Sequence, residues 1–223
     1  MQLNKQEVLR YLGYKRKQAL TAEVDALIEE MMEEVQQVAK PRYDYKIFPI
    51  LAHEETQTIE VVGTQLIFTG KSAFSHLKNA QKVVLLAATL GLEIERQIRI
   101  YEVTDLTRSL ILDACCTEYI EKICDLAECD IQEVADQAYL TMNRRFSPGY
   151  GDLPLTIQPD FLQVLEADRK LGIHLSENLL MIPRKSVTAF AGLFTDEKMA
   201  RPRRKRPDCL DCDFTTCQFR IGG

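Results

Sequence analysis

Two stretches of the 223-residue chain combine residue types that do chemistry. The first is Arg144-Arg145-Phe146-Ser147-Pro148-Gly149-Tyr150-Gly151-Asp152, which sets two guanidinium groups, a hydroxyl and an aromatic ring beside a Pro-Gly pair. Glycine tolerates positive φ and close approach to its backbone, so Pro148-Gly149 can hold the chain open toward a ligand. An Arg at the rim of such a loop matches the fork of a carboxylate or phosphate, and a Tyr ring beside it can face a cation. A surface loop with a solvated Arg pair satisfies the same spacing, so the residues alone leave both readings open. The second stretch is Cys209-x-x-Cys212-x4-Cys217. Three thiolates so spaced offer three corners of a tetrahedral site for zinc or an iron–sulfur cluster. An exposed thiol tail and a redox dithiol fit the spacing too. A fourth ligand would come from Cys115, Cys116, Cys124, Cys129, His174 or a partner.

Other candidates are weaker. His53, His76 and His174 show no catalytic or metal spacing among themselves. The basic run Arg201-Pro202-Arg203-Arg204-Lys205-Arg206 reads as a solvated linker or as a strip that docks on an acidic surface, in which case association is salt-sensitive. Residues 87–92, around Gly91, could present a helix N-terminus to an anion.

These residues sit on elements that the hydrophobic pattern makes legible. Val24, Leu27, Ile28, Met31, Met32, Val35 and Val38 recur every three or four residues, which predicts an amphipathic helix over 22–39. Thr21 can cap its start and Pro41 stops it. A weaker helix precedes it over 6–14. Residues 45–50 read as a strand, and 58–62 with 65–68 as a hairpin turning near Gly63. The apolar run 82–88 predicts a central strand covered on both faces. A short helix over 93–101 and a long one over 104–128 follow. On the second half of the long helix, Glu118, Glu121, Lys122, Asp125 and Glu128 share a polar arc. Cys115, Cys116, Ile120, Ile123, Cys124 and Ala127 share the opposite arc, which marks those three cysteines as core. A strand over 138–142, one compact helix over 159–171 capped by Gly172, and a last strand over 187–194 complete the pattern. Irregular alternation of helices and strands predicts an α+β fold with a largely antiparallel sheet. The shift in texture after Asp196 divides a body, 1–196, from a basic linker and cysteine-rich tail, 197–223.

Composition excludes several classes. A chain of this length buries about 70% of its unfolded surface, so it needs no staples. With 28 basic against 33 acidic side chains the net charge of −5 argues against nonspecific nucleic-acid binding. No apolar run approaches the roughly 20 residues of a membrane span, and Met1-Gln2-Leu3-Asn4 begins no signal peptide. Seven cysteines, an odd number, read as reduced thiols, and a cytoplasmic location is expected.

The order Arg145-x-Ser147-Pro148-Gly149-Tyr150, then Ser176-Glu177-Asn178-Leu179-Leu180-Met181-Ile182-Pro183, then Ser186-Val187-Thr188-Ala189 resembles the reactivation domain of cobalamin-dependent methionine synthase. The similarity is clearest over 139–193 and extends faintly to 104–128 and 82–91. The resemblance implies a C-shaped α+β domain with a twisted antiparallel sheet and flanking helices, which binds S-adenosylmethionine. It implies that Arg145 grips that molecule, that Ser147 and Gly149 belong to its binding loop, with backbone contacts from Ser147, and that Tyr150 lies near the transferable methyl group. A Glu of the long helix approaches the site in the family. Among Asp113, Glu121 and Asp125 the register favours Glu121, whose place on the polar arc equally suits a solvated charge. Three departures stand out: Gly151-Asp152-Leu153-Pro154 replaces Pro-x-Cys-Pro, Ser176-Glu177-Asn178 replaces Thr-Glu-Ser, and Ala191 stands where fused domains carry an aromatic.

The chemistry so implied is reductive methylation of cob(II)alamin, in which the protein supplies proximity and orientation. The chain has no Asp-x-His-x-x-Gly segment, so the cobalamin would be held by a partner, a methionine synthase or another corrinoid methyltransferase acting with this chain in trans. An electron donor such as a flavodoxin or ferredoxin completes the expected partners. Two other classes fit the same sequence: a non-catalytic docking module for a corrinoid protein, and an electron-transfer accessory whose metal sits in the tail.

Overall fold

A computed structural model describes residues 2–14 and 18–195. Helices α1 (Lys5–Tyr11) and α2 (Ala22–Val38) open the chain. Thr21 Oγ1 accepts the Val24 N–H at the start of α2, and Glu23 and Asp25 sit in its first turn, where the helix dipole favours acids. Ile28, Met31, Met32 and Val35 form its buried stripe. Strands β1 (Arg42–His53), β2 (Thr58–Val61) and β3 (Ile67–Phe68) come next, then helix α3 (Lys71–Leu77) and strand β4 (Lys82–Thr89). Helices α4 (Leu92–Thr104) and α5 (Leu106–Gln137) lead to the two-residue strand β5 (Thr141–Met142). Helices α6 (Gln158–Leu165) and α7 (Ala167–Leu171), the hairpin β6 (His174–Leu175) and β7 (Met181–Ile182), and strand β8 (Ser186–Phe194) complete the described chain.

Six strands form one curled antiparallel sheet in the order β3-β2-β1-β4-β8-β5, and β6-β7 form a separate ribbon. The fold is a single α+β domain. β4 lies mid-sheet, paired from Arg42↔Thr89 to Pro49↔Lys82 on one side and from Lys82↔Leu193 to Thr89↔Ser186 on the other. All of its residues after Lys82 are buried. The alternation explains why: Val83, Leu85 and Ala87 join a cluster with Phe68, Phe74, Phe161 and Phe190 from the α3, α6 and α7 side, while Ala88 joins α1, α2, α4 and α5. An apolar run without alternation is therefore the expected signature.

The long helix α5 is the beam on which the candidate site hangs. Its 32 residues span about 48 Å at 1.5 Å per residue. Asp105 caps it by accepting the Arg108 N–H. Cys115, Cys116, Ile120, Ile123, Cys124 and Ala127 are all buried, as their arc predicts, and Ile131 and Ala135 carry the stripe further.

The structure corrects several expectations. The long helix runs to Gln137 rather than to residue 128, because the apolar stripe continues through Ile131 and Ala135. The turn that caps it, Ala138 and Tyr139 (φ 55°), replaces the start of the strand expected from 138, so only Thr141–Met142 pair with β8. The single helix expected over 159–171 is two, because Glu166 adopts the left-handed conformation (φ 56°) between them. Glu118, placed on the solvated arc, is 2% exposed. The N-terminal segment covers it, with the Asn4 N–H donating to its Oε1, and Lys122 lies 3.8 Å away. Helix α3 and the β6-β7 ribbon were not legible as elements. The boundary at 196 and the tail beyond it lie outside the described residues.

Candidate functional site

The Arg145 loop is built against the edge of the sheet. β5 pairs with β8 through Thr141↔Phe194 and Met142↔Leu193. Asn143 extends that ladder by donating its N–H to the Gly192 carbonyl, while its Oδ1 accepts the Gly192 N–H at 2.8 Å. Phe146 and Phe190 then exchange both backbone hydrogen bonds at 2.8 Å. Arg144 and Arg145 sit between these two anchor points. His76 of α3 donates from Nε2 to the Arg144 carbonyl at 2.9 Å, and its ring lies 5.5 Å from that of Phe146. Two neighbouring elements thus fix the backbone of Arg145.

Beyond Phe146 the chain makes the turn that Pro148-Gly149 predicts. The Tyr150 N–H donates to the Ser147 carbonyl at 3.3 Å, and Gly149 has φ +85°, as the third residue of a type II turn requires. The Gly149 N–H in turn donates to the Leu153 carbonyl at 3.0 Å. Ser147 is half-buried, Gly149 is exposed, and the Tyr150 ring is 69% exposed. Asp152, which no local pattern singled out, ties this loop to the start of α3. Its carboxylate accepts the Lys71 and Ser72 N–H groups at 2.7 and 2.9 Å. The Ser72 N–H foremost holds its carboxyl below the usual Asp range. Gly151 is pressed so close that a Cβ there would meet Ser72 Oγ at 2.7 Å.

Arg145 reaches from this edge onto α5. Its Nη2 lies 3.2 Å from Glu121 Oε2 and 3.3 Å from Asp125 Oδ1, and its Nε lies 3.1 Å from Glu128 Oε1. The three acids fall at i, i+4 and i+7 and so share one helix face. Nη1 is buried without a hydrogen-bond partner. Burial works against the cation, but Cys124 and the carboxylates of Glu128, Glu121 and Asp125 outweigh it and hold the pKa above the ordinary Arg value. Three carboxylates around one guanidinium leave a local excess of negative charge. The orphaned Nη1 is a donor in want of an acceptor, and a ligand carboxylate is the chemistry that fits it.

The structure therefore brings Arg145 and Glu121 together and sets Tyr150 at the exposed tip of the same loop. Asp125 and Glu128 join them. Their spacing from Glu121 was visible in the sequence, but nothing local said that an Arg from the sheet edge lies across all three. Asp113 goes elsewhere, to Lys185 Nζ at 2.9 Å. The segment 176–183 forms the turn of the β6-β7 ribbon and its second strand, with the Leu180 N–H donating to Ser176 Oγ. Ala191 is 2% exposed within the core.

Cys209, Cys212 and Cys217 lie outside the described residues. Among the described residues no group of three or more His, Cys, Asp or Glu side chains is arranged to hold a metal ion. Cys115, Cys116 and Cys124 are buried, and burial pushes all three thiols up, Cys115 and Cys124 to about 12. That disfavours the thiolate a metal requires. Cys129 is exposed. No helix among the described residues is long and apolar enough to cross a membrane.

No protein-family model and no curated protein sequence matches the chain. Among solved structures, the fold is similar to the crystal structure of the MetH reactivation domain bound to AdoHcy, with a TM-score of 0.64 and 16% identity over 88% of this chain and 71% of that one. At that identity the likeness establishes the fold.

Proposed function

We propose that this chain is a reactivation module for a cobalamin-dependent methyltransferase, most simply a methionine synthase, and that it binds S-adenosylmethionine at Arg145. One observation carries the reading. On a fold like that of a domain solved with AdoHcy, the Arg145 guanidinium meets Glu121, holds one buried nitrogen without a partner, and shares its loop with an exposed Tyr150. Arg145 grips the amino-acid carboxylate, the turn of Ser147 and Gly149 offers backbone to the ligand, and Tyr150 presents its ring to the sulfonium. Glu121 orients the guanidinium. The bound molecule supplies a methyl group that passes to cob(II)alamin on the partner, with one electron from a separate flavodoxin- or ferredoxin-like donor and S-adenosylhomocysteine as the product. The protein's share is orientation and exclusion of water rather than acid–base work.

Calorimetry with S-adenosylmethionine tests this. Arg145→Ala removes a charge-assisted contact of about 1.5–3 kcal/mol, a weakening of roughly ten- to a hundredfold. Absence of binding by the wild-type chain at millimolar ligand overturns the reading. Within it, residues 197–223 are an accessory segment in which Cys209, Cys212 and Cys217 offer thiolates to zinc or an iron–sulfur cluster. A colourless, metal-free protein after anaerobic purification of the full chain removes that extension.

A further inference from the structure

We infer that Asp125 occupies Arg145 at rest and must yield it to an incoming carboxylate, while Glu128 keeps the guanidinium in place. This rests on the binding role proposed above for Arg145 and adds how that site is held when empty and opened when filled.

The three carboxylates do not hold Arg145 equally. Glu128 has a side chain only 12% exposed and pairs with Nε, the atom nearest the stem. It therefore fixes the plane of the fork. Glu121 and Asp125 divide a single nitrogen, Nη2, at 3.2 and 3.3 Å, longer than the 2.7–2.9 Å of a well-formed charge-assisted bond. Of the two, Asp125 is the more exposed, 58% against 33% for Glu121. An exposed ion pair is weak, since water competes for both partners. The Asp125 contact is thus the one that breaks most easily, and breaking it frees a donor beside the unpartnered Nη1. A ligand carboxylate taking both nitrogens gains the bidentate geometry that the resting cluster denies to Arg145. The same ligand arrives against three like charges, so the Asp125 carboxylate weakens binding twice, by competition and by repulsion.

Glu128 acts through Arg145 rather than on the ligand, and is a positioning residue. Without its carboxylate the fork loses its Nε anchor and rotates on its stem, and the ligand must meet the cost of orienting it.

Titration of the full chain with S-adenosylhomocysteine and, in parallel, with 5′-methylthioadenosine, which lacks the amino-acid end, separates these roles. Asp125→Asn is expected to bind S-adenosylhomocysteine about three- to tenfold more tightly than wild type, with methylthioadenosine unchanged. Asp125→Glu restores the wild-type affinity. Glu128→Gln is expected to weaken S-adenosylhomocysteine about tenfold, again with methylthioadenosine unchanged, whereas a merely structural defect weakens both ligands. Unchanged or weaker binding of S-adenosylhomocysteine by Asp125→Asn overturns the inference and means that Asp125 serves the ligand's ammonium group or nothing. If neither wild type nor any variant binds either ligand, the binding role of Arg145 falls, and this inference with it.

Discussion

Two ion clusters in this molecule are near inversions of each other. At Glu95, one carboxylate is surrounded by donors: the Arg184 N–H at 2.8 Å, Arg99 Nη2 at 2.9 Å, and Arg184 Nε at 3.7 Å. Its side chain is 4% exposed, while those of Arg99 and Arg184 are 67% and 54% exposed and stay solvated. At Arg145, one cation is surrounded by acids, its own Nη1 is left over, and the excess charge is negative. The first cluster is closed. It fastens the segment entering β8 to α4, and nothing in it calls for another molecule. The second is open, since its charge and its donors are both unbalanced. A satisfied buried ion explains itself by the fold alone, whereas an unbalanced one points to a ligand.

The largest break in this comparison comes from Glu95→Ala. The Arg184 N–H loses a charged acceptor in a part-buried setting, which costs about 2 kcal/mol of stability by urea denaturation, and affinity for S-adenosylhomocysteine stays within twofold. Arg145→Ala reverses the pattern in binding: affinity falls, Glu121 and Asp125 rehydrate at the surface, and the stability cost falls on Glu128, whose side chain is only 12% exposed. Comparable loss of affinity in both variants would erase the distinction between a closed and an open cluster. Next in size is thiol reactivity on the buried side of the same helix. With Cys209, Cys212 and Cys217 replaced by serine, a disulfide reagent at pH 8 is expected to modify Cys129 at once and Cys115, Cys116 and Cys124 only as the chain unfolds. Rapid modification of Cys124 would mean that the open cluster admits solvent to the core.

A smaller effect is tied to pH. The Asp152 carboxyl is held below its ordinary value by backbone donors of α3, foremost the Ser72 N–H. A depressed folded-state pKa gives stability that is fully present above the unfolded value near 4 and is lost as pH falls through the folded one. The stability gap between wild type and Asp152→Ala should therefore be constant near neutral pH and close below about pH 4. A gap that persists in acid would assign the contact to neutral hydrogen bonding. Smallest of all, Asp125→Asn should leave stability within about 0.5 kcal/mol, as an exposed substitution does, while altering affinity.

What could be read from the sequence was whatever repeats locally. The stripe of α2 and the buried arc of α5 follow from side-chain periodicity, the doubly covered β4 from its unbroken apolar run, and each lies where its pattern predicts. The resemblance pointed to Glu121 as a neighbour of the loop but not to its pairing with Arg145, and the turn at Gly149 was legible through its Pro-Gly pair. What escaped depends on contacts far apart in the chain. Glu118 looks solvated on a wheel because the wheel does not show Asn4 folding over it. Asp152 looks like an ordinary loop acid because its partners lie 80 and 81 positions away, on a helix whose short span, Lys71–Leu77, gives little pattern of its own. The break at Glu166 escaped for another reason, since a single left-handed residue between two turns of apolar spacing leaves the periodicity intact.

The lengths of the outer strands carry a last consequence. β3 and β5, the two edges of the six-stranded sheet, are two residues each. Such stubs expose few free backbone donors and acceptors, so a second chain finds almost no ladder on which to grow. A protein whose proposed work requires it to meet another macromolecule and then let go gains from this arrangement. Its short edges leave contact with such a partner to side chains and keep its sheet from the edge-to-edge joining that leads to fibres.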